Sequence, residues 1–250
     1  MVRLPPRTIG LVLVAVFWPA TASAYRPFDA TDAAVAETGR AELEIGPVEF
    51  VSEASDRSLV APSLIANFGV VRDWELVAQG RNFVLLSGDA ASGRVRLLET
   101  GLFMKGVLRD GALQGGSGPS VATEIGPLLP EANGESGMGF SAAVIASHRW
   151  PWATVHINAQ PALSRAHHFD FFGAVIVEGP FPWAVRPVSE FVVDREIDGA
   201  RLVSGLAGAI WRAGEAVSFD AAIRAGRVND TNLFEARAGL TWALALGSSR

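Results

Sequence analysis

The segment from Leu233 to Leu244 puts Phe234, Ala236, Ala238, Leu240, Trp242 and Leu244 on one side of an extended chain and Glu235, Arg237, Gly239 and Thr241 on the other. Side chains alternate between the two faces of a strand, so one wall here is wholly apolar while the other carries an acid, a base, a glycine and a hydroxyl. A strand written this way separates an apolar surround from a crowded polar interior.

The other end of the chain points the same way. Arg3 and Arg7 precede the apolar run from Ile9 to Trp18, and Ala22-Ser23-Ala24 is the small-residue pattern that a signal peptidase cuts, so residues 1–24 read as a secretory signal and the mature chain as starting at Tyr25. That apolar run falls short of the roughly 20 residues a transmembrane helix needs, and no later stretch of 18 uninterrupted apolar residues exists, so any membrane is entered as strands. The absence of cysteine excludes a disulfide scaffold and cysteine-ligated metal. The chain has 21 Lys and Arg against 26 Asp and Glu, and the signal holds two arginines and no acid, which leaves the mature part at a formal charge of −7. Nucleic acid is therefore not an expected partner, because binding phosphate needs a basic footprint. Lys105 is the sole lysine, and the polar strand positions are mostly Gly, Ala, Ser, Glu and Arg. A surface facing water is normally richer in long charged side chains.

Alternating segments recur near 40–52, 58–70, 74–85, 94–108, 119–129, 138–148, 152–162, 170–178, 183–194, 200–211, 216–225 and 232–244. Turn residues separate them at Arg72-Asp73, Ser87-Gly88-Asp89, Asn133-Gly134, Arg149 to Trp152, Gly179 to Pro182, Asp198-Gly199, Ala213-Gly214 and Val228-Asn229-Asp230. About twelve strands is an even number, as single-chain bacterial barrels require. Alternation alone does not separate a membrane barrel from a soluble one, since only the identity of the outside differs. A hydrophobic content of 49% and a positive mean hydropathy leave too little solubilising surface for the soluble form. Trp74, Trp150, Trp152, Trp183 and Trp242 fall near strand ends, where an interfacial girdle belongs. The expected fold is all-β: an antiparallel up-and-down transmembrane barrel over residues 39–250, preceded by an N-terminal extension over 25–38 able to lie in the barrel mouth.

The end of the last strand resembles the C-terminal assembly signal of bacterial outer-membrane barrels, with Arg237, Gly239, Trp242 and Leu244 in its slots, although the chain runs on through Ala245 to Arg250 instead of ending on Phe. Arg26-Pro27-Phe28, Thr31-Asp32-Ala33, Gly39, Glu42-Leu43-Glu44, Asn67-Phe68-Gly69-Val70 and Asp73-Trp74-Glu75-Leu76 resemble the opening of the outer-membrane barrel family named after the phenol meta-cleavage pathway. Thr154 to Asn158, Glu178-Gly179-Pro180 with Glu190, and Phe219-Asp220 with Arg224-Ala225-Gly226 are similar to its later motifs. A second Asp is common in that family where this chain has Ala33. The resemblance implies an outer-membrane channel or transporter of a Gram-negative cell, sometimes linked to hydrophobic or aromatic compounds. It implies as partners the outer-membrane lipid and, during biogenesis, the barrel-assembly machinery.

With the apolar faces toward lipid, the lumen receives Glu42, Glu44, Glu75, Arg81, Glu99, Lys105, His156, Asn158, Arg186, Glu190, Asp220, Arg224, Glu235 and Arg237, together with Gln79 and Thr154. Charges withdrawn from water need partners. They therefore form either a ladder of ion pairs that closes the lumen or the lining of a permeation path. Asp220 with Arg224 and Glu235 with Arg237 are the pairs expected to lie close. His167 and His168 beside Asp170 lack a third spaced ligand, so no metal is expected, and nothing indicates a cofactor. Ser147 and His156 share a face of the Trp150 hairpin, but both point inward, which argues against an outer-membrane esterase and leaves no expected catalytic residue. The run from Gly115 to Pro119 lacks the Lys-Ser/Thr and the helix of a phosphate loop. The sequence thus predicts a channel for a small solute through a narrow charged lumen. The alternatives are a closed structural barrel and a soluble periplasmic binding barrel.

Overall fold

The computed structural model describes residues 26–87, 94–197 and 199–246. The signal segment, Tyr25, parts of the turns at Gly88-Asp89 and Asp198, and the tail after Leu246 lie outside the described residues. Twelve antiparallel strands follow in order: β1 Arg40–Glu53, β2 Asp56–Val71, β3 Trp74–Leu85, β4 Val95–Arg109, β5 Ser120–Leu128, β6 Gly139–Arg149, β7 Thr154–Leu163, β8 Phe169–Glu178, β9 Val185–Glu196, β10 Arg201–Arg212, β11 Val217–Val228 and β12 Thr231–Ala245. Each pairs with its neighbour in sequence, and β1 pairs with β12 from Arg40↔Ala245 to Glu53↔Leu233, closing the barrel. Closure leaves no sheet edge, so each strand finds its hydrogen-bonding partners without water.

The facing follows the alternation. Along β11, Ser218, Asp220, Ala222 and Arg224 are buried while Phe219, Ala221, Ile223 and Ala225 are exposed. Around the barrel the outward positions hold Leu64, Phe68, Leu102, Val144, Ile157, Val175, Phe191 and Ile223, all exposed. Such a continuous apolar wall fits lipid and not water. Among the described residues every tryptophan lies near one end of the barrel, the end that holds both Arg40 and Ala245: Trp74 opens β3, Trp150 and Trp152 occupy the β6–β7 turn, Trp183 the β8–β9 turn, and Trp211 and Trp242 lie on the last turns of β10 and β12.

Two prolines mark irregularities in the wall. The β1–β12 register shifts between Ile45 and Val48, around Gly46-Pro47, and the β2–β3 register shifts between Val60 and Ser63, around Ala61-Pro62. Proline has no N–H to give a ladder and belongs at such bulges. The first bulge inverts the facing of the rest of β1, so that Glu42 and Glu44 are buried before it and Glu49 after it.

The interior is not uniformly polar. Ala174, Ile176, Val188, Val192, Leu206, Ile210 and Ala222 from β8 to β11 form a buried apolar wall, against which Phe28 and Ala30 pack. Ala122, Ala143 and Ile145 form a smaller one around Ala33.

Candidate functional site

Residues 26–36 run inside the barrel, and their main chain is held by lumen side chains. The amides of Asp29 and Ala30 donate to Glu190 Oε1 at 3.0 and 2.9 Å. The amide of Thr31 donates to Asn158 Oδ1 at 3.2 Å, while Asn158 Nδ2 donates to the Thr31 carbonyl at 2.7 Å. Ala33 N–H reaches Ser147 Oγ at 2.9 Å, Ala36 N–H reaches Glu75 Oε2 at 2.6 Å, and Gln114 Nε2 donates to the Ala33 carbonyl at 2.8 Å. The carboxylates along this path serve as acceptors for a backbone that has no strand partner. Small side chains let it fit: Ala30, Ala33 and Ala36 are all buried, and at Gly69 a Cβ would strike the carbonyls of Ala36 and Glu37.

The charged side chains form three groups. The first crosses the lumen from β9 to β4. Arg224 Nη2 lies 2.7 Å from Glu190 Oε2 and 2.8 Å from Asp29 Oδ2, and Arg224 Nε lies 3.2 Å from Glu235. Asp29 Oδ1 meets Arg237 Nη1 at 2.7 Å, and Arg237, also paired with Glu235, lies 3.3 Å from Glu49. Glu49 then meets Arg81 at 2.6 Å and Arg81 meets Glu99 at 2.9 Å. Acid and base alternate along the whole belt, and Asp29 of the luminal segment is one of its links.

In the second group Lys105 Nζ donates to Thr31 Oγ1 at 3.0 Å and lies 3.4 Å from Glu75 and 3.7 Å from Asp32. Glu44 beside it accepts from Asn67 Nδ2 at 2.9 Å, and Glu42 is buried nearby on the same strand. The third is a chain of contacts in which Ser147 Oγ lies 2.8 Å from His156 Nδ1, His156 Nε2 lies 3.1 Å from Glu178 Oε1, and Glu178 Oε2 lies 3.4 Å from Arg186. Serine, histidine and a carboxylate in a row resemble hydrolytic machinery. Here, however, Ser147 is 1% exposed and its oxygen already accepts the Ala33 amide, so the chain ends on the luminal segment, not in a space for a substrate.

One expected pairing is corrected. Asp220 does not meet Arg224; it lies 3.6 Å from Arg26, whose Nη1 also donates to Ser63. Four residues along one strand are separated by roughly 13 Å, beyond the reach of a direct pair. Several contributors escaped the sequence reading. Glu49 was hidden by the Gly46-Pro47 bulge, and Arg26, Asp29 and Asp32 by lying in a segment without periodicity. Glu178 sits in the Glu178-Gly179-Pro180 motif, and its place beside His156 needs the β7–β8 register, in which it faces Thr154. Glu99 lies at a bulge with φ of 55° and is more exposed than the other members of the belt.

Bounded by the belt and by the luminal segment, a cavity of about 440 Å³ extends toward the end of the barrel away from Arg40 and Ala245. Its lining combines Phe28, Phe103, Phe172 and Leu202 with polar groups such as Arg81 and Gln160.

No protein-family description and no curated protein matches the chain by sequence. Solved structures do resemble it in fold. An outer-membrane channel from Pseudomonas putida F1 superposes with a TM-score of 0.63 at 9% identity, over 87% of this chain and 100% of that one. The KdgM porin, in complex with disordered oligogalacturonate, superposes with a TM-score of 0.53 at 9% identity, over 80% of this chain and 98% of that one. The closed twelve-stranded barrel with an apolar outer wall is a protein of the outer membrane.

Proposed function

We propose that this barrel is an outer-membrane channel or transporter that passes a small hydrophobic or aromatic solute through a narrow, charged lumen. The observation that carries the reading is the cavity of about 440 Å³, which lies within the about 300–1,000 Å³ of small-molecule sites and has the mixed lining such sites use: aromatic and aliphatic side chains with a few fixed polar groups. The apolar walls of β8–β11 and β5–β6 continue the same surface inward. Twelve strands fall between barrels filled by their own side chains and wide aqueous porins, which suits one small solute at a time. The fold shared with an outer-membrane channel and a porin supports the class of function, and the ordered motifs resembling the phenol meta-cleavage pathway family support membership there. The end holding Arg40 and Ala245 faces the periplasm, the side from which export delivers the chain. The cavity then opens toward the exterior, and residues 26–38 enter from the periplasmic side.

Passage requires the luminal segment to yield. The alternating belt from Glu190 to Glu99 favours a second reading, a closed structural barrel in which the charges only hold the strands and the segment together. Liposome swelling and planar-bilayer conductance separate the two. The channel reading expects flux that rises when residues 25–38 are deleted; absence of flux in both forms overturns it.

A further inference from the structure

At the end of the barrel that holds Arg40 and Ala245, three arginines converge on one ring. The guanidinium carbon of Arg149 lies 3.8 Å from the centre of the Phe181 ring, that of Arg186 lies 5.3 Å away and that of Arg212 lies 5.5 Å away. Arg149 closes β6, Arg186 is the second residue of β9 and Arg212 closes β10, and all three occupy the lumen-facing register of their strands. Phe181 comes from the β8–β9 turn, so the cluster gathers groups from strands far apart in sequence at the lumen mouth.

The cluster is short of negative charge. Among the described residues two carboxylates act on it: Glu178, 3.4 Å from Arg186 with its other oxygen engaged with His156, and Asp32, which faces Arg149 at longer range and is already held by Lys105. Among the described residues neither Arg149 nor Arg212 meets a carboxylate; Arg212 spends one N–H on the Pro182 carbonyl at 3.2 Å, and Arg149 Nε is buried with no hydrogen-bond partner. Cation–π contact with one ring offsets part of the repulsion but cannot neutralise three charges gathered around it within about one Debye length of ~8 Å. Guanidinium forks match oxyanions in both charge and geometry. The neighbouring Trp152 and Trp183 are exposed, so an aromatic surface adjoins the cationic one.

We propose that Arg149, Arg186 and Arg212 around Phe181 form a binding site for a small oxyanion at the periplasmic mouth, suited to a carboxylate or phosphate carried on a compact organic body. The site lies on the far side of the luminal segment from the 440 Å³ cavity and does not depend on whether the lumen conducts.

The test is isothermal titration of the full mature protein, folded in zwitterionic detergent, with benzoate, inorganic phosphate and benzyl alcohol as probes. Benzoate and phosphate should bind competitively at one site and benzyl alcohol should give no such binding. The double variant R149Q/R212Q should weaken benzoate and phosphate at least tenfold, whereas R72Q, at the β2–β3 turn of the same end, should leave them unchanged. Wild-type affinity should also fall steeply between low and high sodium chloride, a measurement that needs no variant to fold. Absence of oxyanion binding, affinity indifferent to salt, an unchanged R149Q/R212Q or an equal loss in R72Q would overturn the proposal. Tighter binding of benzoate than of phosphate would assign the ligand to carboxylate-bearing solutes, and the reverse order to phosphate-bearing ones.

Discussion

Replacing Arg224 by Met takes the cation from the centre of the luminal belt while keeping much of its volume. The guanidinium is 1% exposed and serves Glu190, Asp29, Glu235 and the Ser204 hydroxyl, at 2.7, 2.8, 3.2 and 2.8 Å. Removing one partner from a buried ion network costs about 3–5 kcal/mol, because the opposite charges are left uncompensated. Each carboxylate here keeps another donor: Glu190 the amides of Asp29 and Ala30, Asp29 and Glu235 the side chain of Arg237. The lower end of that range, about 3 kcal/mol or roughly 150-fold in an equilibrium constant, is therefore expected. Guanidinium titration of the barrel folded in lipid vesicles, read by tryptophan fluorescence, measures it, since the tryptophans lie near one end, away from the belt. The reasoning makes a sharper claim for the double variant R224M/E190Q. Neutralising Glu190 removes one of the stranded charges, so the pair should be less destabilised than the sum of the single changes by about 0.5–3 kcal/mol. Additivity within about 0.5 kcal/mol, or an R224M barrel as stable as the wild type, would refute the view that these groups act as one network.

Ile223, 58% exposed at the middle of the outer face of β11, should accept Phe without loss, whereas Ile223→Arg should cost about 2–4 kcal/mol and reduce the heat-modifiable folded form on gels. Gly69→Val places a side chain where the Ala36 and Glu37 carbonyls lie, so it should loosen the segment where it enters the lumen and raise bilayer conductance while the barrel still folds. Ser147→Ala strands the buried Ala33 N–H and His156 Nδ1 at about 1–3 kcal/mol; proteolysis of residues 26–38 should quicken, and any background hydrolysis of nitrophenyl esters should stay as it was.

What the sequence discloses, and what it withholds, divides along physical lines. β11 and β12 alternate without interruption, so facing and register can be read directly from Ser218 to Ala243. β1 carries the same kind of pattern, but the extra residue at Gly46-Pro47 moves Glu49 onto the inner face, and no period-two reading predicts where such an insertion falls. The middle of β8 misleads differently. Ala174 and Ile176 face inward while Val175 and Val177 occupy the alternate positions, so both walls are apolar there and that stretch of the sequence yields a strand without an inside. A lumen inferred from charged residues alone therefore lacks its apolar half.

The luminal segment is the hardest part to read, because its conformation belongs to the barrel and not to itself. Nothing periodic runs from Arg26 to Thr38, and its turns are set by Glu190, Asn158, Ser147 and Glu75, side chains from β9, β7, β6 and β3. The dependence is mutual. Without Asp29 the belt would place Arg224 and Arg237 beside each other with Glu235 between them, and Glu190 would lose two of its donors. Ala33 shows how closely the fit is drawn: it is fully buried beside Ala122, Ala143 and Ile145, so an Asp at this position would be forced against an apolar wall while its neighbour Asp32 already pairs with Lys105. An uncompensated carboxylate there would cost several kcal/mol. The seating of the segment is thus encoded as complementary charge and complementary small residues, and on the channel reading anything that opens the lumen must supply a replacement for Asp29 between the two arginines. A solute or an ion that does so would shift the equilibrium only by its own preference for the open form.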